Sequence, residues 1–93
     1  MLVGVLTIEL HLLEADSLKS KRVILKSLKD RIKNKFNVSV AEVGDNDLWQ
    51  RTVIGIACVA NETRAIHQVL NSIREMALNI PTVELINSKM EIL

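Results

Sequence analysis

Residues 2–13 alternate without a break, and this pattern constrains the chain more than any other. Leu2, Gly4, Leu6, Ile8, Leu10 and Leu12 fall on one side; Val3, Val5, Thr7, Glu9, His11 and Leu13 fall on the other. Successive side chains of a strand point to opposite faces, so period two over this length predicts a long strand. Its first face is apolar throughout and must be covered. At 93 residues the chain can hold one hydrophobic core, and a single domain over residues 1–93 is expected.

The rest of the chain supplies the cover. Asp16 or Ser17 is placed to cap a helix running to about Lys35, with Leu18, Leu25, Leu28 and Ile32 along its apolar stripe. Phe36 to Val43 alternates again and predicts a second strand. The turn formers Gly44, Asp45, Asn46 and Asp47 then lead into a third strand from about Leu48 to Ala60, making a hairpin. Asn61 is the expected cap of a second helix, whose stripe is Ile66, Val69, Leu70, Ile73, Met76 and Ala77. Pro81 disfavours helix in the residue before it, so that helix ends by about Asn79. A last strand lies between Val83 and Met90. Strand, helix, strand, strand, helix, strand is the order of a ferredoxin-like α+β sandwich, a four-stranded antiparallel sheet with both helices on one face.

Several chemistries are excluded or disfavoured by what the chain lacks. Cys58 is the only cysteine, so no intrachain disulfide or Cys-rich metal site forms, and within Val53–Ala60 it reads as a core thiol. Glu9 and His11 share a strand face, but two ligands without a third make a weak metal site, and His67 stands alone. Gly4, Gly44 and Gly55 are too far apart for a phosphate loop, and no serine sits in a nucleophile elbow. No enzyme, cofactor or metal is expected. Residues 1–6 are apolar but carry no basic leading segment, and Glu9 and His11 interrupt the apolar run beyond them. Neither a signal peptide nor a membrane span is expected, and a cytoplasmic protein is.

Phe36 and Trp49 are the only aromatic residues. In the sandwich the two central strands are the first and third, where an RNA-recognition domain needs rings to stack bases. Here Val3, Val5 and Thr7 occupy the first, and residues 53–59 the third, so that mode is excluded. Charge points elsewhere. The net charge is +1, yet Lys19, Lys21, Arg22, Lys26, Lys29, Arg31, Lys33 and Lys35 crowd between Ser17 and Phe36 with Asp30 as the only acid. That segment carries +7 against −6 for the remainder. Lys19, Arg22, Lys26, Lys29 and Lys33 recur every three or four residues, forming one ridge beside the apolar stripe. Such a ridge is either a solvated face whose stems shield the core or a surface for anions. Lys19, Lys21, Arg22, Lys26, Lys29 and Lys33 are the expected phosphate contacts on structured RNA or ribosomal surfaces. A membrane surface is disfavoured because the helix's apolar face is needed for the core.

Two further surfaces are legible. The uncovered sheet face receives Val3, Val5, Thr7 and Glu9 from the first strand. On the third strand, Thr52, Ile54, Ile56 and Cys58 are the bulkier set and are assigned to the helices, which leaves Val53, Ala57 and Val59 outside. An exposed aliphatic face on a soluble chain predicts an interface, and Val3, Val5, Thr7 and Val53 are the candidates for a homodimer packed sheet to sheet. Trp49 and Arg51 are expected to share a strand face, with the guanidinium near the indole, as a hairpin anchor or an interaction patch.

Through nearly its whole length the chain resembles the YlxP-like family, small bacterial domains of unknown function. The likeness runs through Gly4-Val5-Leu6 with Glu9-Leu10-His11, Ser17-Leu18-Lys19 with Lys21-Arg22, residues 36–42, and Trp49-Gln50-Arg51 with Gly55. It implies a ferredoxin-like fold. It also implies a gene neighbourhood of transcription and translation factors, including a ribosome-binding factor, and hence an RNA-related role. It supplies no catalytic residue. The alternative is a structural homo-oligomer or protein-interaction module, the ridge meeting the acidic remainder of a neighbour.

Overall fold

Period two in the first strand is realised as β1, Leu2–Leu12: Leu6, Ile8, Leu10 and Leu12 are fully buried while Val3, Val5, Thr7, Glu9 and His11 are half-buried. The computed structural model describes residues 1–93 and continues with α1 Leu18–Lys35, β2 Ser39–Gly44, β3 Arg51–Ala60, α2 Thr63–Leu78 and β4 Val83–Ile92. The strands line up β2-β3-β1-β4, each neighbouring pair antiparallel, and both helices cover one face. This is the ferredoxin-like sandwich. The core lies between Leu6, Ile8, Leu10 and Leu12 of β1, Ile54 and Ile56 of β3, and the apolar stripes of the helices. Thr52, Ile54, Ile56 and Cys58 face the helices, the assignment their bulk suggests.

Helix α1 begins where Ser17 can cap it. The Ser20 amide donates to Ser17 Oγ at 3.0 Å and the Ser17 amide donates to Ser20 Oγ at 3.2 Å, a reciprocal capping box. Ser17→Ala is expected to cost about 1 kcal/mol in chemical denaturation, because the first-turn amide of Ser20 loses its acceptor.

Several element ends differ from the pattern-based expectation. Phe36 does not open β2; its amide donates to Ile32 O at 2.8 Å and closes α1, so pairing starts at Ser39 opposite Ala57. β3 starts at Arg51 because residues 45–50 are spent on the turn, where Leu48 donates to Asp45 O and Asp45 takes φ 57°. A short polar side chain tolerates that left-handed backbone. The N-cap of α2 is Glu62, not Asn61, and no side chain caps it. The phase of α2 is set by burying Ile66, Leu70, Ile73 and Ala77, which leaves Asn61 one residue too early. β4 runs two residues past Met90 because Glu91 and Ile92 still find partners in Val5 and Gly4.

Candidate nucleic-acid interface

Helix geometry places the bases of α1 on two flanks. Lys19, Arg22, Lys26 and Lys33 are exposed and Lys29 is half-buried along the first. Arg31 and Lys35 stand on the opposite flank, lining a groove of about 460 Å³ with Asn71, Ser72, Glu75 and Met76 of α2 and Asn79 just beyond it. The first flank therefore faces away from α2, on the side of the edge strand β2. Charge there is not wholly uncompensated. Lys26 Nζ donates to Asp30 Oδ2 at 2.8 Å, an exposed pair one helical turn apart. That hydrogen bond, with the charge attraction, raises the Lys26 pKa above its ordinary value. The same bond lowers that of Asp30, with Lys26, Lys33 and Lys29 adding their attraction. Lys19, Arg22, Lys29 and Lys33 have no acidic partner.

Lys21 does not belong to this surface. Only 2 % of it is exposed, and its ammonium lies under the β2–β3 turn. Nζ donates to Leu48 O at 2.6 Å and Asp45 O at 2.7 Å, and pairs with Glu42 Oε2 at 2.8 Å. Glu42 also accepts from Thr52 Oγ1 at 2.7 Å. A buried ammonium needs such partners, since its desolvation would otherwise cost several kcal/mol. Lys21 cannot reach a phosphate, and its charge is matched by Glu42, so the seven remaining bases together with Asp30 leave the surface of this segment at +6. The signal was present: residues 21, 25, 28 and 32 step by four, three and four, which puts Lys21 on the apolar stripe.

The Trp49–Arg51 pairing on a strand face is not formed either, because Trp49 lies in the bend before β3. It is 54 % exposed beside exposed Leu48. The only close approach of a cation to an aromatic ring is Lys35 Nζ, 5.9 Å from the Phe36 centroid. Arg51 instead borders a hollow at the end of the sheet with His11, Gln50, Glu84 and Ile86, where His11 Nδ1 and Glu84 Oε1 lie 3.1 Å apart. On the uncovered sheet face the structure brings Val3, Val5, Thr7 and Val53 together, all half-buried. Cys58 is buried, and burial pushes its thiol pKa up, away from the thiolate that nucleophilic chemistry needs. No three His, Cys, Asp or Glu residues come together in a group able to hold a metal ion. No helix is long and apolar enough to cross a membrane.

Three comparisons with known proteins bear on this arrangement. Residues 3–90 match the family described as "Protein of unknown function (DUF503)". The chain is 37 % identical over 83 residues to "Uncharacterized protein YlxP" of Bacillus subtilis (strain 168), covering 89 % of this chain and 90 % of that one. Among solved structures, a de novo designed protein with a ferredoxin fold superposes with a TM-score of 0.60 at 13 % identity, over 100 % of this chain and 84 % of the other. That likeness concerns the fold alone.

Proposed function

The chain belongs to the DUF503 family of proteins of unknown function, and from that premise we propose that it is a non-catalytic cytoplasmic domain that binds structured RNA or ribosome-associated surfaces through α1. The observation that carries this reading is the outward flank of α1, where Lys19, Arg22, Lys29 and Lys33 have no acidic partner. Local helix stability is poorly served by like charges three and four residues apart, which repel by a few tenths of a kcal/mol per pair. Polyphosphate relieves that repulsion and releases counterions. Lys19, Arg22, Lys26, Lys29 and Lys33 contact phosphates across the grooves of A-form RNA and read shape more than sequence. The scarcity of aromatic residues leaves phosphate contact as the way to hold RNA.

The test uses Arg22→Glu, Lys29→Glu and Lys33→Glu together, because Asp30 already holds Lys26. Binding to duplex RNA or to ribosomal subunits is measured by filter retention across a salt series. The wild type weakens with salt by a power of about 0.7–0.9 per phosphate contacted, and the triple variant loses about three contacts from that slope. Unchanged affinity and slope in the variant would overturn the proposal.

Self-association is a second reading, favoured by the field of Val and Ala side chains around Gly55 on the uncovered sheet face.

A further inference from the structure

The strand register arranges the uncovered face in rows. Ala41, Gly55, Thr7 and Lys89 form one row across β2, β3, β1 and β4; Ser39, Ala57, Val5 and Glu91 form the next. The β2–β3 half of these rows is small and, apart from the Ser39 hydroxyl, apolar. It forms an open hollow of about 280 Å³ that Val5 and Val43 help to line. Gly55 leaves room for the Val43 side chain to lie close over β3, since a Cβ there would stand 3.0 Å from Val43 Cγ1. Val43 is 60 % exposed and Val59 63 %. The β4 end of the two rows carries opposite charges, Lys89 Nζ lying 3.5 Å from Glu91 Oε1 on an exposed edge.

We infer that this face takes a second copy of the chain, packed about a two-fold axis that crosses the strands midway between the two rows. The inference rests on the self-association reading and gives it a register. Such an axis exchanges the rows, so each strand lies over its own counterpart running the opposite way. Gly55 then meets Ala57 of the second copy, and Val53 meets Val59. Lys89 faces Glu91 of the second copy and Glu91 faces its Lys89, so the edge is complementary to itself. A face whose two charged rows were alike in sign could not pack this way. Packed sheets are rotated by about 30°, which splays their ends and leaves Glu9, His11 and Arg51 in water. Four strands about 4.8 Å apart and ten residues rising about 3.3 Å each make a face of roughly 600 Å². Two such faces bury at most about 1,200 Å², the low end for a specific interface, so a dimer of modest affinity is expected.

Sedimentation equilibrium tests this with the full chain, circular dichroism and melting verifying that each variant is folded. Wild type is expected to dimerise at tens of micromolar. Ala57→Glu, which sets a carboxylate against the apolar centre of the second copy, raises the dissociation constant about 100-fold or more. K89E leaves two carboxylates on the β4 edge and E91K leaves two ammonium groups; each repels its own copy and weakens the dimer about 10-fold. An equimolar mixture of K89E and E91K chains restores association to near the wild-type value, which pairing within one chain cannot do. A wild type that stays monomeric at several hundred micromolar overturns both this register and self-association. A dimer indifferent to Ala57→Glu and to the charge variants leaves self-association standing and overturns the register.

Discussion

Lys21→Met lowers the stability of the domain by about 3–5 kcal/mol, the cost of removing one partner from a buried ion pair. Glu42, paired with Lys21 at 2.8 Å, loses its only cation, and the carbonyls of Asp45 and Leu48 lose the donor they share. The four-carbon stem of Lys21 also carries α1 into contact with the β2–β3 turn, so one residue ties two elements far apart in sequence. For a domain of this size such a loss shifts Tm by more than about 12 °C. Thermal and denaturant unfolding followed by circular dichroism measures it, and the single tryptophan, Trp49, reports on the turn by fluorescence. Replacing both partners by apolar residues, Lys21→Met with Glu42→Leu, recovers much of the loss, because neither charge is then stranded. A loss below about 1 kcal/mol for Lys21→Met would show that water, not this ammonium, satisfies the turn.

A double-mutant cycle at Gly4 and Ile66 has the next largest expected effect. A Cβ at Gly4 would collide with Ile66 Cγ2 and stand 3.1 Å from Leu70 Cδ1 and 3.4 Å from Cys58 Sγ. At an ordinary strand position, replacing glycine by alanine stabilises by about 0.4–1 kcal/mol through the unfolded chain. Here overpacking reverses the sign, since Ile66 is fully buried, stiff at χ1 and fixed on α2. Gly4→Ala costs about 1–3 kcal/mol. Ile66→Ala costs about 2–5 kcal/mol by opening a cavity. The new methyl of Gly4→Ala enters the space that Ile66→Ala vacates, so the double variant falls short of the sum by about 1–3 kcal/mol. Additivity within about 0.5 kcal/mol would mean that β1 and α2 do not meet closely at this point.

The core was legible because burial in a sandwich is periodic. The step of two in β1 and the steps of three and four in α1 and α2 reflect strand and helix geometry, which each segment carries by itself. Element ends were less legible, because they depend on what lies across the chain. Phe36 has the composition of a strand residue, yet its amide serves α1. Leu48 and Trp49 extend the apolar run of β3, yet the turn takes them. The basic ridge was legible up to the point where it required knowing which lysine had an acid above it. Lys21 and Lys26 look alike in the sequence. One is buried against Glu42, twenty-one positions along the chain, and the other is exposed beside Asp30, one helical turn away.

Residue order alone was enough for the succession of elements, the buried faces of β1, α1 and α2, and the concentration of positive charge on α1. All of these follow from neighbours within about four positions, where spacing converts directly into direction. The folded chain was needed to settle which of those charges meet solvent, and that Val5, Gly55, Ala57 and Lys89 belong to one continuous surface. Those outcomes rest on contacts between segments dozens of residues apart, where the chain's folding back, not its local spacing, sets what each side chain touches.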